Sequence, residues 1–129
     1  MSLARLLLID TNLEILAMAK RLLEPRFQIV GAFRDGAAAL RELSSLNPDV
    51  VLLDISLGDV NGLEIARRIK LLGSPAKPVF FTVHEHPDFI HAAMSMGAAG
   101  YILKNRAASD LVKGIEQVLS GTPFFPSPA

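Results

Sequence analysis

Apolar residues gather in five short, β-prone runs along the chain: Arg5–Ile9, Gln28–Phe33, Val50–Leu53, Pro78–Val83 and Gly100–Leu103. Most of these runs are apolar at consecutive positions, as in strands covered on both faces. Between them, apolar positions recur at helical spacing. Leu13, Leu16, Ala17 and Leu23 share one face, as do Leu40 and Leu43, and then Ile65, Ala66, Ile69 and Leu72. Ile90, Ala93, Met94 and Gly97 form a fourth set, and Leu111, Ile115, Val118 and Leu119 a fifth. Start signals agree. Asp35 precedes an alanine-rich segment, Asn61 with Glu64 three residues on reads as a capping box, and Pro87 suits a first helical turn.

Strict alternation of strand and helix predicts an α/β fold, a doubly wound five-stranded parallel sheet with helices on both faces. Right-handed crossovers leave few topologies, and five strands suit the flavodoxin-like order 2-1-3-4-5. Ligands of such sheets bind beyond the carboxyl ends of the strands, at the switch point between strands 1 and 3. Polar residues stand there. Asp10 ends strand 1, Asp54 ends strand 3, Thr82 lies near the end of strand 4 and Lys104 follows strand 5. The fold brings all four to one edge. Two carboxylates so close repel unless a cation intervenes, and Mg²⁺ or the Lys104 ammonium would supply it.

Composition narrows the classes. The chain has 129 residues, enough for one domain with a core, and its formal net charge is zero, so no nucleic-acid or membrane surface is indicated. It has no cysteine, which removes disulfides, thiolate metal sites and a cysteine nucleophile. No apolar stretch approaches a membrane span, and "MSLARLLLID" lacks the length and cleavage pattern of a signal peptide, so a cytoplasmic domain is expected.

The stretches "LLLID", "PDVVLLDISLGDVNGLEIARRIK", "VFFTVHE" and "MGAAGYILKN" resemble the receiver domain of bacterial two-component response regulators, from Arg5 to about Gly121. "GYILK" and the closing "VLSGTPFFPSP" are most similar to the LuxR-type branch, whose regulators carry a helix-turn-helix DNA-binding domain after the receiver. The resemblance implies a signalling role rather than an enzyme, beyond assistance to its own phosphorylation and dephosphorylation. Asp54 matches the phosphoryl-accepting aspartate. Asp10 matches one of the acidic pair that holds Mg²⁺, with Asp54 itself and the Ser56 backbone carbonyl as further ligands. Lys104 matches the lysine that pairs with the phosphoryl group, Thr82 the switch hydroxyl and Tyr101 the switch aromatic. The implied donor is a sensor histidine kinase or phosphotransfer protein, and activation implies a homodimer and a transcriptional output. Residues 1–121 form the receiver, and 122–129 a tail or the start of an interdomain linker. The resemblance implies a DNA-binding domain C-terminal in the parent protein, and with no recognition helix among these residues no direct nucleic-acid contact by them is expected. Phe124 and Phe125 are expected to tuck back onto the body.

Four positions depart from the family pattern. Thr11 replaces the second acid, a direct metal ligand, so Mg²⁺ should bind weakly. Gly58 stands where proline is common and should loosen the loop after Asp54. Val83 replaces a small residue and narrows the approach to Asp54, and Asn105 replaces a proline after the lysine. His84, two residues after Thr82, is placed to tune phosphoryl lifetime; with His86 and His91 it reads more simply as polar loop than as a metal site. Met94 and Met96 read as helix packing, and Arg67, Arg68 and Lys70 as a solvated face. The alternative function is a degenerate receiver, a phosphorylation-independent dimerisation or docking module, which Thr11 favours. A cofactor enzyme on the same fold is the remote reading, because the glycine-rich dinucleotide fingerprint and the phosphate loop are both missing.

Overall fold

Val50, Val51 and Leu53 are completely buried and Leu52 nearly so, which requires helices over both faces of their strand. The computed structural model describes residues 2–126; of the expected tail, residues 127–129 lie outside the described residues. Strand β1 (Arg5–Ile9) leads to α1 (Leu13–Leu23), β2 (Gln28–Phe33), α2 (Gly36–Leu46) and β3 (Val50–Leu53). After α3 (Gly62–Leu71) come β4 (Lys77–Thr82), α4 (Pro87–Ser95), β5 (Gly100–Leu103), a 3₁₀ turn at Lys104–Arg106 and α5 (Ala107–Leu119). The sheet is parallel with order β2-β1-β3-β4-β5, the expected doubly wound arrangement, and the fourth strand begins and ends one residue earlier than its sequence pattern indicates.

Side-chain alternation along the strands divides the core in two. Leu7, Ile9, Val51, Leu53, Phe80 and Tyr101 pack with Ala39, Leu43, Ile65, Ile69 and Ala93, under α2, α3 and α4. Leu6, Leu8, Val50, Leu52, Phe81 and Ile102 pack with Leu16, Leu23, Leu111, Ile115 and Val118, under α1 and α5. Full burial of each such aliphatic chain contributes about 1.5–3 kcal/mol before entropy is counted, so both layers are needed.

Several helical assignments need correction at the side-chain level, the exposed Ala17 of α1 among them. Leu13, Leu72 and Met94 are 61%, 65% and 52% exposed, so they do not join the core. Leu13 opens α1 and Leu72 caps α3, where the outermost turn overhangs the sheet; Met94 lies near the end of α4, while Met96 does pack inward. Gly97 ends α4 at φ +85° instead of packing on its apolar face.

Candidate functional site

Register places the acidic pair. β1 and β3 pair from Leu6↔Val50 to Ile9↔Leu53, and the ladder continues as the Asp54 N–H donates to the Ile9 carbonyl at 3.2 Å. The Asp10 N–H donates to the Phe33 carbonyl at 3.0 Å. Asp10 and Asp54 therefore leave adjacent strands side by side. β4 ends at Thr82, paired with Leu103, so Lys104 follows at the same edge.

Asp10, Asp54 and Thr82 are 4%, 6% and 0% exposed, and they are the buried polar residues of the described chain. Lys104 Nζ lies 2.8 Å from Asp10 Oδ2 and 2.8 Å from Asp54 Oδ2, and donates a hydrogen bond to the latter. Burial acts against the charge on Lys104, but the two carboxylates outweigh it and hold its pKa above the ordinary lysine value. Asp10 Oδ1 accepts from the Asn12 N–H at 2.9 Å, and Asn12 in turn caps α1 through the N–H groups of Glu14 and Ile15. Asp54 Oδ1 accepts a long bond, 3.4 Å, from the Ser56 N–H.

This donor set fits a hard divalent cation. Two carboxylates against one ammonium leave a net negative charge in a buried site, and Asp10 Oδ2 is the buried side-chain atom that receives no aligned hydrogen bond among the described residues. Asp10, Asp54 and the Ser56 carbonyl are the groups that could hold Mg²⁺. Among the described residues no cluster of three or more His, Asp or Glu side chains forms there, consistent with the neutral Thr11 next to Asp10. The Thr11 carbonyl accepts from Arg34 Nε at 3.0 Å.

Thr82 and Tyr101, the expected switch pair, both hydrogen-bond the backbone of His84. The Tyr101 ring is fully buried, and its hydroxyl donates to the His84 carbonyl at 2.7 Å. Burial, then the Asp54 charge, pushes the Tyr101 phenol up to about 12. Thr82 Oγ1 accepts a long bond, 3.4 Å, from the His84 N–H. The His84 imidazole hydrogen-bonds Ser56 Oγ at 2.8 Å and stacks on Phe89 with ring centroids 4.4 Å apart. Val83, in contrast, is 65% exposed. His86 caps α4 by accepting from the Asp88 N–H, so the three histidines do not form a shared cluster.

Two features were not legible. A side chain at Gly62 would collide with the Asp54 carbonyl, and the Gly62 N–H donates to the Ile55 carbonyl at 2.6 Å. Gly62 thus sets the backbone that presents Asp54; its "NG" position was the available signal. Arg34 is the other, a surface cation brought to the rim by β2. Gly58 is a correction. Instead of loosening the loop it turns a small antiparallel ladder, Ser56–Leu57 with Val60–Asn61. Its φ of +71°, with Asp59 outside the left-handed region, has the sign pattern of a type II′ turn, which proline cannot adopt there.

Comparisons agree with this geometry. Residues 6–116 match the family described as the response regulator receiver domain. The nitrate/nitrite response regulator protein NarL of Escherichia coli strain K12 is 32% identical over 120 residues, 92% of this chain and 56% of that protein. The chain thus spans about half the length of the curated relatives it matches. The signal receiver domain of the response regulator NarL from Mycobacterium tuberculosis superposes with a TM-score of 0.88 at 27% identity, covering 94% of this chain and 99% of that one. A LuxR-family two-component response regulator from Aurantimonas superposes at 0.89 with 31% identity, covering 95% and 89%. The family match runs from within β1 to within α5, across every strand that supplies the buried acidic pair, the threonine and the lysine, and so the chain belongs to the response regulator receiver domain family, in its LuxR-type branch.

Proposed function

We propose that this receiver takes a phosphoryl group on Asp54 from the phosphohistidine of a sensor histidine kinase or phosphotransfer protein, and that the acyl phosphate switches its conformation. The meeting of Asp10 and Asp54 at the Lys104 ammonium, with the buried Thr82 at the end of the neighbouring strand, carries this reading. An Asp54 oxygen attacks phosphorus while the P–N bond to the donor imidazole breaks. The bonding pair leaves with the imidazole nitrogen, which is protonated from solvent. Lys104 neutralises charge on the phosphoryl oxygens, and the Thr82 hydroxyl donates to one of them. Mg²⁺, held by Asp10, Asp54 and the Ser56 carbonyl, supplies further neutralisation when bound.

Thr82 moves toward the new group and Tyr101 occupies the space it leaves, which carries the event to the face of α4, β5 and α5. His84 and Val83 flank the mouth and tune the lifetime of the acyl phosphate; Thr11 lowers metal affinity. Residues 1–121 act as the receiver, and 122–129 lead toward a C-terminal DNA-binding output, in a cytoplasmic regulator that dimerises on activation. Among the described residues no helix is long and apolar enough to cross a membrane. A phosphorylation-independent docking module is the weaker reading, because Asp54, Thr82, Tyr101 and Lys104 are all present and assembled.

Acetyl phosphate with Mg²⁺ should add one phosphoryl mass to the intact chain, and Asp54→Asn should abolish the addition. Persistence of the modification in that variant, mapped elsewhere, would overturn the assignment.

A further inference from the structure

The chain does not leave the body after α5. Gly121, at φ +96°, turns it back, and Phe124 forms a parallel bridge with Gly100 at the outer edge of β5. The Phe124 N–H donates to the Ala99 carbonyl at 3.2 Å, and the Tyr101 N–H donates to the Phe124 carbonyl at 2.7 Å. Gln117 Nε2 adds a bond of 2.8 Å to the Pro123 carbonyl. As in a strand, neighbouring side chains go to opposite faces: Phe124 packs with the α1 and α5 layer, Phe125 with the α2 to α4 layer.

Gly114 is the seat for this strap. A Cβ there would come within 2.9 Å of both the Phe124 ring and Ile102 Cδ1. Glycine inside a helix is disfavoured against alanine, and the aromatic ring on this spot offsets that cost.

Tyr101 stands where the strap meets the switch. Its amide holds Phe124, and its hydroxyl holds the His84 carbonyl, whose own imidazole reaches Ser56 beside Asp54. A cavity of about 420 Å³ opens beside Tyr101, lined also by Phe124, Phe125 and Pro126. A Tyr101 ring leaving the core would enter this space and compete with Phe125 for it. An inward ring leaves Phe125 undisturbed.

We infer that residues 122–126 are a strap whose docking on the β5 edge is coupled to occupancy of Asp54 through Tyr101. This rests on the functional reading above. An occupied site draws Thr82 inward, keeps the Tyr101 ring in the core and tightens the strap; an empty site lets ring and strap loosen together. Coupling between sites is reciprocal, so the docked strap also favours occupancy.

Hydrogen exchange on the 129-residue chain, with and without beryllofluoride, tests this. Fluorine NMR reports occupancy separately. The Tyr101 and Phe124 amides should exchange at least about fivefold more slowly in the occupied state, the lower end of ordinary coupling between sites. Gly114→Ala, which helix propensity favours, should instead speed both amides and weaken beryllofluoride binding; Phe124→Ala should do the same. Unchanged exchange at both amides with beryllofluoride bound overturns the coupling, as does native affinity in both variants. Absence of any bound fluorine signal rejects the Asp54 reading itself, and the coupling falls with it.

Discussion

Asp10 and Asp54 share a single ammonium, and the residue between Asp10 and Asn12 decides whether the site is doubly or triply acidic. Thr11 is neutral, so a dication meets two carboxylates there instead of three. Thr11→Asp should tighten Mg²⁺ binding about tenfold, which corresponds to about 1.4 kcal/mol of added attraction in a partly screened site. A metal titration of both proteins checks this; equal affinities would mean that Thr11 is not the weak point. Gly62 acts on the same loop by steric means. Gly62→Ala forces a methyl group against the Asp54 carbonyl and should destabilise the fold by about 1–3 kcal/mol, the usual range for overpacking. An unchanged denaturation midpoint would show that the backbone there has room to give.

At the scale of an element, α3 separates caps that stabilise from charges that do not. Asn61 Oδ1 accepts from the Leu63 N–H at 2.8 Å, so the N-cap is made. Glu64, at the capping-box position, turns away and binds Arg67 at 2.7 Å and 2.9 Å and Arg68 at 3.3 Å. The Arg67 hydrogen bonds are the main reason its carboxyl is held down at about 2. That low pKa belongs to a solvent-exposed group, and exposed ion pairs contribute little. Asn61→Ala should therefore lower stability by about 1 kcal/mol, while Glu64→Gln should leave it close to unchanged. Urea denaturation of the two variants compares them directly, and equal losses would refute the distinction. The reciprocal box was a fair reading of "NGLE", but side chains choose among partners, and two arginines one turn on outcompeted the Asn61 amide.

At the scale of the molecule, Tyr101 ties stability to pH. Its phenol titrates near 10.0 when unperturbed and at about 12 in the fold, because burial and the Asp54 charge disfavour the phenolate. A raised folded pKa means that stability is fully present below pH 10 and is lost as pH climbs through the folded value. Lys104, also raised, acts in the same direction, since its ion pairs vanish when it loses its proton. Tyr101 is the one tyrosine and the chain has no tryptophan, so tyrosinate absorbance reports it without interference. The native protein should titrate near 12 and Asp54→Asn lower, and a native midpoint near 10 would contradict a buried hydroxyl.

The apolar pattern alone determined the five strands, the two-sided burial of the inner ones and hence the parallel order, because continuous runs such as Val50–Leu53 admit few other placements. It also determined that Asp10, Asp54, Thr82 and Lys104 share one edge, since parallel strands end on one side. Only the tertiary structure decided the rest. Periodicity assigns a face, not a depth, so it could not tell that Leu13, Leu72 and Met94 overhang the sheet while Leu16 and Ala93 lie under it. Nor does local sequence hold the distance between groups far apart along the chain. Lys104 meets both carboxylates, His84 meets Ser56 and Phe124 meets Gly114 because packed layers bring them within a hydrogen bond or a van der Waals contact. Such contacts are chosen by shape and competing partners after the layers close, which is why residue order names the participants while the fold selects the pairs.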